Sequence, residues 1–158
     1  SVSTHAIRCA EKLRKQKSCA RHISVFISTN PFKPRARQYN GYKTMVFKTP
    51  THVNFTIVNA ALEILSSIYR PDCLYKRSGV IVGDNIPEDQ VQLNFLDEVN
   101  KGKEHKEATR AMDLVNYKMG RDKVRLGVQG LDREWRLEQE RLTGCYTTRW
   151  SDLMRVGA

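Results

Sequence analysis

Four cysteines, Cys9, Cys19, Cys73 and Cys145, and four histidines, His5, His22, His52 and His105, are the chain's candidate nucleophiles and metal ligands. The cysteines stand 10, 54 and 72 residues apart without a C-x-x-C or C-x-x-H pairing, a pattern that fits neither a zinc site nor a dense disulfide framework. They read as reduced thiols, the equally scattered histidines read as surface or packing residues, and no metal site is expected. The acids Asp72, Asp84, Glu88, Asp89, Asp97 and Glu98 fall in turns or in a polar connection, and no strand pattern carries two carboxylates on one face. A Gly-rich phosphate loop, a Ser-His-Asp set and an H-E-x-x-H motif are all absent from the sequence. No catalytic residue is predicted.

The basic residues are the more telling set. Lys and Arg number 27 against 17 Asp and Glu, a net charge of +10, and the excess is uneven. Residues 1–50 hold eleven bases and the single acid Glu11, residues 51–100 hold three bases and seven acids, and residues 101–158 hold thirteen bases and nine acids. A segment with so many bases repels itself when folded unless an anion neutralises it, and nucleic acid is the common biological polyanion. A solvated face on a basic protein accounts for the same pattern, and charge alone does not separate the two.

The elements that must position these charges follow from periodicity. Val2, Ala6, Cys9, Ala10 and Leu13 form one apolar stripe of a basic amphipathic helix over residues 2–18. Arg14, Lys15 and Lys17 sit at its end, where favourable interaction with the helix dipole explains them as well as a nucleic-acid contact does. HISVFIST (22–29) alternates as a half-buried strand, with Ile23, Val25 and Ile27 on one face and His22, Ser24, Phe26 and Ser28 on the other. Residues 30–43, with two prolines, an Asn-Gly pair and a high density of bases, form a long exposed connection to a second strand at 43–49. Thr51 is placed to cap a helix through Val53, Ile57, Ala60, Ala61, Ile64, Leu65 and Ile68, stopped at Arg70-Pro71. RSGVIVGD (77–84) gives a third strand.

From Asn85 to Lys106 periodicity fades and the segment reads as a linker with one apolar motif inside it. Ala108, Ala111, Met112, Val115 and Met119 then predict a short helix ended by Gly120, and Val124, Leu126 and Val128 predict a strand. The closing stretch, with Trp135, Leu137, Leu142, Tyr146 and Trp150, has no firm assignment. The two tryptophans suit a small core better than base-stacking platforms. The fold class is therefore α+β, in three parts: a domain at 1–86, a linker at 87–106 and a small C-terminal α/β unit at 107–158. At 158 residues there is no room for a full polymerase or a multi-domain machine, and no apolar run approaches the ~20 residues a membrane span needs. No secretory signal opens the sequence, and a soluble cytoplasmic bacterial protein is the expectation.

The order helix, strand, basic connection, strand, helix, strand is most of a β-α-β-β-α-β unit, and the residues along it are familiar. AEKLR (10–14), VFISTNPFKP (25–34), TPT (49–51), NAALEIL (59–65), YKRSGVIVGD (75–84), QLNFLDE (92–98) and VQGLDREWRLEQERLTGCYTTRWSDLMRV (128–156) occur in this order across essentially the whole chain. Together they resemble the C-terminal part of Y-family lesion-bypass DNA polymerases of the bacterial polymerase V type. The resemblance implies that residues 1–86 are a little-finger domain lying across DNA, its sheet backed by two helices on one face. Residues from about 107 then look like the subfamily's C-terminal domain of unknown function. The strand that precedes the first helix in that family has no counterpart here, and palm, fingers and thumb would lie upstream. Magnesium belongs to the polymerase reaction of such a parent, and no cofactor is expected for these residues.

A bypass polymerase must hold any template, so the expected contact is with phosphates and largely independent of sequence. The candidates are Arg21, Lys33, Arg35, Arg37, Lys43, Lys48, Lys76 and Arg77, with Ser24 and Ser28 adding hydroxyl and amide contacts. Gln92, Leu93, Asn94, Phe95 and Leu96 match the pattern by which bacterial polymerases grip the β sliding clamp, though Phe-Leu replaces the commoner Leu-Phe. An extended peptide can insert such apolar anchors into a groove; equally, Val91, Leu93 and Phe95 can alternate as an edge strand packed on the domain. The fragment is thus expected to bind duplex or primer-template DNA and the clamp, in DNA repair and the SOS response, without catalysis of its own. A protein-interaction module that recruits UmuD or RecA is the alternative. A nuclease or deaminase is disfavoured because the ligand sets are missing.

Overall fold

The computed structural model describes residues 1–33, 35–92, 99–120, 122–130 and 143–153. Six regular elements follow one another as α1 (Val2–Lys15), β1 (Ser18–Thr29), β2 (Asn40–Thr51), α2 (Asn54–Ile68), β3 (Tyr75–Pro87) and α3 (Val99–Met119). The class is α+β, as the patterning predicts.

The three strands make one antiparallel sheet in the order β2-β1-β3. Period 2 along β1 sends Ile23, Val25 and Ile27 to one face, and the stripe of α1 (Val2, Ala6, Ala10, Leu13) and that of α2 (Ile57, Val58, Ala60, Ala61, Ile64, Ile68) close over them as one core. Each fully buried Ile or Val contributes about 1.5–3 kcal/mol of transfer free energy. This cluster holds the sheet.

The strands are longer than alternation alone predicts, and the connection after β1 is correspondingly shorter, ending at Asn40. Register slips between Ala20 and His22 and between Ser28 and Thr29 mark a bulge at each end of β1. On the outer face the rings of Phe26 and His22 lie over Gly79 and Gly83, where any Cβ would collide with them. Here glycine is required for close approach, not for a turn.

Several expected details differ. Thr51 does not cap α2: its hydroxyl accepts the Val53 amide ahead of the helix, and Val53 stands at the N-cap with no side-chain bond. Residues 99–106, expected as linker, form the first turns of α3. Gly120 ends that helix with φ +101, which only glycine adopts freely. No strand forms at 124–128. The Asn116 side chain bonds both the amide and the carbonyl of Val124 at 2.9 Å, taking the groups a strand partner would need, and Gly127–Gln129 closes as a 3-10 turn. Among the described residues the C-terminal unit is therefore helical and turn-like rather than α/β.

This unit rests on the first. The Arg14 guanidinium donates to both Asp113 oxygens (2.6 and 2.8 Å), to the His52 carbonyl (2.8 Å) and to the Asn54 amide oxygen (2.9 Å). His105 stacks on Phe55 at 4.5 Å, and the Ser3 hydroxyl donates to the Val128 carbonyl. No helix among the described residues is long and apolar enough to cross a membrane.

Candidate nucleic-acid interface

One end of the sheet gathers the loop 30–39 and the turn 69–74. The loop is organised around a single side chain. Gln38 donates its amide to the carbonyls of Asn30, Lys33 and Ala36 at 3.1, 2.9 and 3.2 Å, while its oxygen accepts the Thr29 hydroxyl at 3.0 Å. Asn30 starts the loop as an Asx turn, its side-chain oxygen accepting the Phe32 amide. The neighbouring turn is closed by Tyr75, whose hydroxyl accepts from the Arg70 amide and donates to the Arg70 carbonyl. Tyr39 joins the two: its hydroxyl bonds the Ile68 carbonyl at 2.8 Å, its ring meets Tyr75 edge-on, and Arg70 lies 4.2 Å over its face. An Arg37–Asp72 ion pair ties the loop to the turn.

The ten candidate residues divide. Lys33, Arg35, Arg37, Lys76 and Arg77 lie at this end; Ser28 pairs with Arg77 in the register, and Lys76 sits at the bulge opposite Ser28 and Thr29. Lys43 starts from mid-sheet, but its ammonium reaches Ser67 near the C-terminus of α2, at the same end. Arg70, unremarked in the sequence beyond its role in stopping the helix, belongs here too. The adjoining Tyr69, with Tyr75 five residues after Arg70, was the available signal. Residues 30–43 and 69–77 together hold seven bases and one acid, Asp72. Lys33, Arg35, Lys76 and Arg77 are exposed and have no ion-pair partner among the described residues.

Arg21 and Lys48 are elsewhere. Both lie by the first bulge, seven residues along β1 from Ser28, or about 23 Å at ~3.3 Å per residue. Arg21 faces Asp84 at 3.6 Å. Ser24, expected to point outward to phosphate, is only 2% exposed. Its hydroxyl is shared with Thr44 (2.7 Å) and accepts the Tyr42 phenol (3.0 Å), and Thr44 donates on to Tyr42, so cross-strand neighbours cover it and occupy its bonding capacity. Side-chain hydrogen bonding with Ser24, and then with Thr44, lowers the Tyr42 pKa.

A buried group at the opposite end has the residue types of a catalytic triad without its chemistry. Cys19 Sγ lies 3.1 Å from His52 Nδ1, and His52 Nε2 lies 3.8 Å from Glu88. Burial, then Glu88, push the thiol pKa up, and burial pushes the imidazole down against the opposing pull of Glu88. Thiol and imidazole are thus both held neutral, the reverse of what an activated thiolate needs. All four cysteines are free, and no three His, Cys, Asp or Glu side chains among the described residues group to hold a metal ion.

Gln92 is exposed, whereas Leu93, Asn94, Phe95 and Leu96 lie outside the described residues. So do Trp135, Leu137 and Leu142; Tyr146 and Trp150 are exposed. Arg14, which helix-dipole reasoning left at a helix end, is the joint between the two units, and nothing in its local sequence announces Asp113 as its partner.

Comparison with known proteins adds the following. Residues 1–95 match the impB/mucB/samB family C-terminal domain, and residues 107–156 match a domain of unknown function (DUF4113). The chain is 34% identical over 156 residues to protein UmuC of Salmonella typhimurium, covering 99% of this chain and 37% of that protein. It is 33% identical over 153 residues to SamB of Salmonella typhimurium and 31% identical over 153 residues to MucB of Escherichia coli, in each case covering 97% of this chain and 36% of the relative. The chain thus spans a little over a third of the length of these curated relatives.

Proposed function

The chain belongs to the impB/mucB/samB family, and from that premise we propose that it is the DNA-holding, clamp-tethering C-terminal part of an error-prone polymerase that copies past damaged bases during DNA repair and the SOS response. The observation that carries the reading is the basic end of the sheet, where seven bases meet one acid across two internally braced loops and the β2 and β3 residues that adjoin them. Phosphates are its target, because bases on loops give affinity without reading sequence. Lys33, Arg35, Lys76 and Arg77 supply the main charges, with Lys43, Arg70 and, once released from Asp72, Arg37 beside them. The isolated chain is expected to have no polymerase activity.

The segment Gln92–Leu96 follows the sheet domain directly and serves as the tether to the β sliding clamp, with Leu93 and Phe95 as anchors. The test is binding of the 158-residue chain to a purified bacterial clamp, comparing wild type with the Leu93→Ala, Phe95→Ala double variant, with thermal melts of both. Binding lost in a variant that melts normally supports the tether. A large fall in melting temperature instead assigns the two side chains to the core.

A second reading, recruitment of UmuD or RecA, is favoured by one observation: Tyr146 and Trp150 are exposed on the C-terminal unit, and exposed aromatics are common interface anchors. Such an interface loses little affinity with salt, whereas a phosphate grip loses much.

A further inference from the structure

Phe32 stands 85% exposed within the basic end. A single exposed apolar residue is ordinary on a protein surface; what matters here is its setting. The loop that carries it is braced from inside by Gln38 and begins with the Asn30 turn, so the ring is presented on a fixed support. Lys33 follows it directly, Arg35 comes two residues later, and Leu74 and Tyr69 are further exposed apolar groups on the adjoining turn.

A phenyl ring gains nothing from a phosphate. In a closed duplex the flat faces of the bases are covered by their neighbours and only base edges are open. The ring gains free energy against a base whose face is bare, and the bases beside it supply the phosphate attraction that brings such a strand close. We propose that the basic end takes DNA with unpaired bases, Phe32 stacking on one of them while Lys33 and Arg35 hold the adjoining phosphates. This inference rests on the DNA-binding reading and names its substrate class.

The test is fluorescence anisotropy of the whole chain with an oligothymidylate and with a blunt duplex of equal length, for wild type, Phe32→Ala and Phe32→Trp. Phe32→Ala should weaken oligothymidylate binding about 5- to 100-fold. It should leave duplex affinity within about twofold and the salt slope on both unchanged, because no phosphate contact is lost. Phe32→Trp should keep wild-type affinity or exceed it. Equal losses on both DNAs, or none on either, overturn the stacking role while wild-type DNA binding keeps the electrostatic reading intact. Wild type binding neither DNA overturns both. Phe32-dependent binding to phosphatidylglycerol vesicles, with DNA binding insensitive to the substitution, overturns the proposal in favour of a lipid surface.

Discussion

Two arginine-bearing regions of this molecule use the same side chain in opposite ways. At the joint between the units, Arg14 is 11% exposed, and its guanidinium bonds Asp113, His52 and Asn54. At the basic end, Arg35 is exposed on a loop with no ion-pair partner among the described residues. The first is neutralised within the fold and contributes stability; the second leaves its field in solvent and contributes attraction for an anion. Counting bases along the chain cannot separate the two, because the difference lies in partners distant in sequence.

The largest effect that would sharpen this contrast is on stability. Arg14→Ala should cost about 1–3 kcal/mol in urea denaturation, mainly because it leaves the His52 carbonyl and the Asn54 oxygen without their donor, while the part-exposed Asp113 carboxylate regains water. Arg35→Ala should change stability by less than about 0.5 kcal/mol. Similar costs for the two variants would erase the distinction.

The fold as a whole should also lose stability in acid. Burial lowers the His52 pKa from its ordinary 6.5, with Glu88 opposing and Lys106, Arg14 and Arg110 adding to the shift. The unfolded chain therefore takes up the proton more readily. The contribution is complete above the ordinary value and is lost as pH falls below it. His5 shifts the same way through burial, its nearby N-terminal ammonium and Arg8, so it adds to the effect. Melts from pH 7.5 to 5.5 should show falling stability that is reduced in His52→Gln, and a profile unaltered by the substitution would remove His52 from the account.

Smaller again is the effect of the Arg37–Asp72 pair. Both side chains are more than half exposed, so Asp72→Asn should cost under about 1 kcal/mol. Freeing Arg37 should raise DNA affinity modestly at low salt, and a decrease would show that Asp72 holds the loop in its binding shape.

The α1 stripe, the alternation of β1 and the apolar stripe of α2 were legible because each repeats its period over several turns or pairs, and burial on one face enforces it. Val124, Leu126 and Val128 misled because three alternating residues satisfy a turn stapled by Asn116 as well as a strand. Within the candidate site, the basic loop could be read from composition. The separation of Arg21 and Lys48 from it could not, because which end of a strand meets which loop depends on sheet register. Ser24 failed for a related reason: alternation gives the face, whereas its covering by Tyr42 and Thr44 depends on the neighbouring strand.

The central claim, that one end of the sheet grips DNA through phosphates, is tested most directly by the salt dependence of duplex binding in three proteins: wild type, Lys33→Ala with Arg35→Ala, and Arg21→Ala with Lys48→Ala. The first pair should reduce the slope of log affinity against log salt by about 2 units, and the second by well under 1. Equal reductions, or a larger loss from Arg21 and Lys48, would contradict the placement of the DNA at the basic end.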